Sequence, residues 1–370
     1  MINLDNIIEN NFNSLVEKAI SSNRIPIGYT CRYVPEVLLS VGNLFPVRLS
    51  APQISGTEMA DVYLSSVICS YTKSLLEYAI EGHYNFLGGF VFAAGCDHLR
   101  RLYDNMIYLI KPSFIHIIDV PHKRTESALS WYIYELKTLV KSMSSHFGIN
   151  INDDSLFSAI KNHNNFMELI NKVSELRKKE KTPITGEIFH KLFLASHSVP
   201  KEMMIEHIEA YYNDVKDKES KTKHKARLML IGSHLDNTNY IKIIESMGGI
   251  VVCDRFCTGS MPGITPIDIN CDPFNAIAKH TFNNTLCPRM MEDFDLRVNK
   301  ILELIKEFRI DGVVVELMKF CDIWGVEITP LISALRKSGI PVLRLEREYR
   351  LTGEGQLRTR VQAFMESIVK

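Results

Sequence analysis

The chain has 370 residues, too many for one ordinary core, which predicts two or three domains. Its 43 basic and 43 acidic side chains cancel, so no global field draws it to nucleic acid or anionic lipid. No apolar run reaches a membrane span, and Met1-Ile-Asn-Leu-Asp5 lacks the basic start and apolar core of a signal peptide; the expectation is a cytoplasmic protein with neither membrane nor nucleic acid as partner.

Residues 1–23 read as an amphipathic helical lead-in, with Ile7, Phe12, Leu15, Val16 and Ile20 near helical spacing. A first α/β domain is expected over 24–148. It opens with strand Ile25–Tyr29, followed at once by Thr30-Cys31-Arg32, and Pro35 suits the first turn of a helix that stops at Gly42-Asn43. Phe45–Leu49 reads as the next strand. Residues 58–81 carry one long helical pattern that contains Cys69. Phe86–Phe92 is a buried strand, Ala93–His98 the loop after it, and a helix from about Asp97 to Ile110 leads to strand Phe114–Val120. A helix from Thr125 to Phe147 closes the unit.

Residues 149–224 differ in kind, being helical and highly charged, as in 174–181 and 216–223. Their interleaved acids cancel attraction to phosphate, so they read as solvated helix faces of a connecting segment. A second α/β domain is expected over 225–370. Its elements are strand Arg227–Gly232, helix Asn237–Met247, strand Ile250–Cys253, a long loop to about Met290 and helix Phe294–Phe308. The β-branched run Gly312–Leu317 has no helical period and predicts a strand buried on both faces. Thr329-Pro330 suits the cap and first turn of a helix ending near Gly339, Pro341–Leu345 starts another strand, and Gln356–Ile368 is a closing helix. The fold class is α/β, with two Rossmann- or flavodoxin-like parallel-sheet domains and an intervening helical segment.

Eight cysteines are too dispersed for a small disulfide scaffold. Cys31, Cys96 and Cys321 each follow the carboxyl end of a predicted parallel strand, the edge where open α/β sheets build ligand sites. Cys69 is a helical candidate for a fourth. Thiolate is the soft donor that iron–sulfur clusters and zinc prefer, whereas packed cysteine behaves as a small hydrophobe; both readings stay open on spacing alone. Neither C-x-x-C nor the contiguous ferredoxin pattern is present. Cys253-Asp-Arg-Phe-Cys257, with Cys271 and Cys287, is a weak metal signal that reads better as packing. Gly232-Ser-His234 lacks a full G-x-G-x-x-G, and there is neither H-E-x-x-H nor G-x-S-x-G.

Several ordered stretches go further. They are Gly28-Tyr-Thr-Cys31-Arg-Tyr-Val-Pro-Glu36, Ile68-Cys69-Ser-Tyr-Thr-Lys-Ser74, Gly95-Cys96-Asp-His-Leu-Arg-Arg101, Lys319-Phe-Cys321-Asp322, Ile340-Pro-Val-Leu-Arg-Leu-Glu346 and Gly355-Gln-Leu-Arg-Thr-Arg-Val-Gln-Ala-Phe364. With them the chain resembles the 2-hydroxyacyl-CoA dehydratase and benzoyl-CoA reductase family, and most of all the dehydratase β subunits. The resemblance implies a heterodimer with a homologous α subunit, each subunit holding a [4Fe–4S] cluster between α/β domains. It also implies an ATP-dependent iron–sulfur activator that delivers one electron, and an acyl-CoA substrate bound mainly on the partner. The implied reaction removes water from (R)-2-hydroxyacyl-CoA through a ketyl radical to give (E)-2-enoyl-CoA. Cys31, Cys69, Cys96 and Cys321 stand where the family has cluster cysteines; four thiolates would close the site and suit an electron relay. The alternatives are a benzoyl-CoA reductase-type subunit and a non-enzymatic, metal-stabilised α/β binding scaffold.

Overall fold

The computed structural model describes residues 3–220, 223–261 and 263–369. Two short helices, α1 (Leu4–Glu9) and α2 (Ser14–Ser21), lead into β1 (Ile25–Tyr29) and β2 (Leu44–Arg48). Helices α3 (Ala60–Tyr63) and α4 (Ser70–Ile80) precede β3 (Gly89–Ala93), and α5 (Asp97–Asn105) precedes β4 (Ile115–Ile118). Four longer helices follow: α6 (Glu126–Phe147), α7 (Asp153–Glu175), α8 (Gly186–Ser198) and α9 (Lys201–Val215). The remainder runs β5 (Ala226–Gly232), α10 (Asn239–Ser246), β6 (Gly249–Phe256), α11 (Pro273–Asn284), α12 (Phe294–Glu307), β7 (Gly312–Met318), α13 (Asp322–Lys337), β8 (Val342–Arg347) and α14 (Glu354–Ile368).

The strands form two four-stranded sheets ordered β2-β1-β3-β4 and β6-β5-β7-β8, and every pairing is parallel. The two orders are equivalent. In each, the chain reverses its direction of travel across the sheet beside the first strand, and the crevice at such a switch opens at the carboxyl ends of the strands. β3, β6 and β7 are buried along their whole length, which is why their sequences are nearly unbroken apolar runs.

The halves of the chain interlock. α11 follows β6 in sequence, yet its Ala276, Ile277 and Phe282 share a core with Tyr132 and Leu136 of α6 and with Ile27 and Val91 of the first sheet. Helices α1 and α2 bury Ile7, Val16 and Ala19 against Phe166, Phe189 and Phe193 of α7 and α8. Among the described residues, no helix is long and apolar enough to cross a membrane.

Four sequence expectations change. The helix expected from Pro35 to Gly42 is only a 3-10 turn, Leu38–Ser40. The 58–81 pattern folds as two helices, because the Glu77 carboxylate of α4 accepts the N–H groups of Met59 (3.2 Å) and Ala60 (2.6 Å) and starts a separate turn there. Residues 254–290 are not a continuous loop. The Asp272 side chain accepts from Asn275 N (2.7 Å) and Pro273 takes the first helical position, so α11 begins where an N-cap and a proline stand together. Finally, α13 starts at Asp322, and Pro330 lies inside it.

Candidate metal centre

Segments after β1, β2, β3, β5, β6 and β7 meet around a cavity of about 70 Å³. All four expected ligands, Cys31, Cys69, Cys96 and Cys321, line it. So do Cys257 and Cys287, whose spacing in the sequence reads as packing. Of the remaining cysteines, Cys253 is buried within β6 and Cys271 is exposed. Among the described residues, no three Cys, His, Asp or Glu groups lie close enough to hold a single metal ion. The thiols surround a space, not a point.

Three of these cysteines occupy the same local position. Cys69 is the N-cap of α4, Cys96 of α5 and Cys321 of α13. A helix N-terminus carries unpaired N–H groups and a partial positive charge, which favour an anionic sulfur. The N–H groups of Thr72 and Tyr71 pull down the Cys69 pKa, those of Leu99 and His98 do so for Cys96, and that of Trp324 for Cys321. A tight turn delivers Cys321: its N–H bonds Met318 O at 3.0 Å, and Phe320 adopts the left-handed region at φ 62°. At Cys31 the backbone of Gly95 comes close, since a Cβ there would lie 3.2 Å from the Cys31 sulfur.

Burial outweighs these donors. It pushes Cys96 up to about 12 and Cys257 to about 11, and holds Cys287 and Cys321 well above the ordinary thiol value. The charges of neighbouring sulfurs add to the effect. Cys96 feels Cys69 and Cys31, Cys321 feels Cys69, Cys96 and Cys257, and Cys287 feels Cys257 and Cys31. The stronger of these influences fall within two groups, 69/96/321 and 31/257/287, and Cys96–Cys31 and Cys321–Cys257 couple the groups to each other.

His98 ties the first group together. Its Nδ1 accepts the Cys69 N–H at 3.2 Å, which leaves the proton on Nε2, 3.1 Å from the Asp322 carboxylate. One imidazole therefore links the N-termini of α4, α5 and α13. Arginines cross between the halves in both directions. Arg32 donates to Cys257 O (3.1 Å) and Gly259 O (2.9 Å), while Arg289 donates to Gly95 O (3.0 Å) and Val120 O (3.1 Å). Tyr349, after β8, accepts from Ala51 N at 2.9 Å and donates to Asp236 at 2.6 Å.

The residues present fit a polynuclear, thiolate-bound group. Cysteine is the donor such groups take. The cavity wall also presents buried polar atoms without a hydrogen-bond partner among the described residues: Tyr33 OH, Ser233 Oγ and His234 Nδ1. Orphaned buried polar atoms are rare unless they serve an occupant. His234 is held in place by stacking on Tyr71, with ring centroids 3.9 Å apart.

Residues 31–368 match the family model for the 2-hydroxyglutaryl-CoA dehydratase D-component. Among curated proteins, the chain is 25% identical to the (R)-phenyllactyl-CoA dehydratase beta subunit of Clostridium sporogenes, over 98% of this chain and 96% of that one. It is 23% identical to a subunit of benzoyl-CoA reductase from Thauera aromatica, over 88% and 86%. It is 21% identical to the (R)-2-hydroxyglutaryl-CoA dehydratase subunit beta of Acidaminococcus fermentans, over 96% and 95%.

Proposed function

The chain belongs to the 2-hydroxyglutaryl-CoA dehydratase D-component family, and from that premise we propose that it is the iron–sulfur subunit of a 2-hydroxyacyl-CoA dehydratase, a hydro-lyase that converts (R)-2-hydroxyacyl-CoA to (E)-2-enoyl-CoA. The observation that carries this reading is the convergence of Cys31, Cys69, Cys96 and Cys321, from separate loops of both sheets, on one cavity. These four would hold a [4Fe–4S] cluster, which when bound supplies low-potential one-electron chemistry. The chain's own part is to bind, orient and shield. The N-termini of α4, α5 and α13 aim N–H groups at the sulfurs, His98 fixes their relative placement, and Leu99, Met318 and Trp324 keep water out. Four thiolates on one cubane leave no iron open, so this chain relays the electron and the substrate sits mainly on a homologous α subunit. An ATP-dependent iron–sulfur activator supplies that electron. Relatives named as subunits support a partner chain.

One observation favours a second reading of the same site. Cys257 and Cys287 enter the cavity as well, and one cubane takes four cysteines. In this reading the two groups of three thiols each hold a cluster of their own. Anaerobic iron and sulfide analysis separates the two: about four irons per chain, unaffected by Cys257→Ala or Cys287→Ala, supports the relay, and about eight irons, falling in those variants, supports the pair. In both, Cys96→Ala and Cys321→Ala lower the iron content. A colourless protein, or one holding only zinc, would refute both.

A further inference from the structure

The end of β2 carries a cation with no ion-pair or hydrogen-bond partner among the described residues. Arg48 is 5% exposed, and none of its three guanidinium nitrogens has a hydrogen-bond partner among the described residues. Its guanidinium lies 5.4 Å from the centre of the Tyr29 ring. One acid, Asp236, lines a small cavity together with Arg48, His197 and Thr258. Asp236 makes no ion pair with it among the described residues; instead it accepts the Tyr349 hydroxyl at 2.6 Å, and burial raises its pKa. Leaving a charge buried without a partner is costly. A folded chain keeps such a charge where something anionic offsets it.

The groups whose negative charge would act most on Arg48 are Tyr29, Tyr71, Cys31 and Cys257. The two tyrosines are deeply buried and held neutral, with pKa values raised far above the ordinary phenol value. That leaves the cysteine side. Cys31 and Cys257 are neighbours in the second thiol group, and Arg32 braces the Cys257 carbonyl. Sulfurs that bind a metal do so as thiolates, so loading this cavity would create negative charge beside Arg48.

We propose that Arg48 is a positioning residue whose uncompensated charge balances an anionic, thiolate-bound group in the cysteine cavity and raises that group's reduction potential. The inference rests on the iron–sulfur reading above. Adding an electron adds negative charge, so a fixed cation nearby favours the reduced state, and removing it lowers the potential.

The test is an anaerobic redox titration followed by electron paramagnetic resonance, on the full chain as wild type, Arg48→Met and Arg48→Lys, with iron measured in each. Arg48→Met keeps the apolar stem and deletes the charge; its potential is expected to fall by at least a tenfold change in the one-electron equilibrium, about 59 mV. Arg48→Lys is expected to stay closer to wild type. Loss of iron in Arg48→Met with retention in Arg48→Lys also supports the counter-charge. An iron-loaded Arg48→Met whose potential is unchanged or higher overturns the proposal and leaves the iron–sulfur reading standing, and so does loss of iron in both variants. Wild type without iron overturns that reading, and this inference with it.

Discussion

The ion pair that anchors the end of β7 offers a direct test of the electrostatic reasoning. Glu316 is fully buried, its Oε2 accepts from Arg347 Nε at 2.9 Å, and Arg347 also donates to the His234 carbonyl at the cavity wall. Burial pushes the Glu316 carboxyl up to about 7, with Arg347 pulling the other way, so desolvation wins. Glu316→Gln keeps an acceptor for Arg347 and removes the charge; its expected cost near pH 8 is below about 1 kcal/mol. Glu316→Leu strands the guanidinium and should cost about 3–5 kcal/mol, whereas Glu316→Leu with Arg347→Met should return to within about 1 kcal/mol of wild type or exceed it. The sign of the pH effect follows from the raised folded value. The folded state holds the Glu316 proton more tightly than the unfolded chain, so this contribution is full below about pH 4.5 and is lost as pH rises through about 7. Its size is roughly 3 kcal/mol, at about 1.4 kcal/mol per pH unit, and it is absent in Glu316→Gln. Urea unfolding from about pH 5 to 8, compared at constant slope, reads all of these. A Glu316→Gln variant with the wild-type pH dependence, or a double variant whose cost is the sum of its singles, would refute the reasoning.

Two smaller perturbations bear on how the loops are held. Tyr132 OH donates to Tyr33 O at 2.6 Å in a fully buried setting, so Tyr132→Phe should lose about 1–2 kcal/mol in urea unfolding; no change would show that the bond adds nothing to the Cys31 turn. Glu77→Ala removes the acceptor for Met59 and Ala60 and should cost about 1–2 kcal/mol, with faster amide exchange at those two residues first. Exchange that accelerates uniformly along α4 would instead mean that Glu77 stabilises the longer helix.

Much of this is legible in the chain. Ile25–Tyr29 is β1 to the residue, and the apolar run from Gly312 is β7, because a strand buried on both faces needs little beyond its own composition. The loops bearing Cys31, Cys96 and Cys321 follow from those strands. What escapes depends on distant partners. The break before Cys69 is imposed by Glu77, eighteen residues beyond Met59, and no local pattern announces it. Pro330 reads as a helix start, but Val326, four residues earlier, is 74% exposed, where water can satisfy the carbonyl that proline leaves without a donor. The N-cap and proline at Asp272-Pro273 are a readable signal for α11. Cys257 and Cys287 are not readable as site residues. Cys253, their companion in sequence, points into the core, and only the approach of two loops separates the thiols that meet from the one that does not.

The arginines that cross between the halves bear on speed as well as shape. Arg32 grips the carbonyls of one half from the other, Arg289 does the reverse, and Tyr349 closes a third side. A centre braced from opposite directions and walled by apolar side chains has few dipoles free to turn when its charge changes. Were this cavity loaded as proposed, electron exchange through such a frame would meet a small reorganisation barrier, because the polarisation otherwise built at each transfer would already be fixed in the loops.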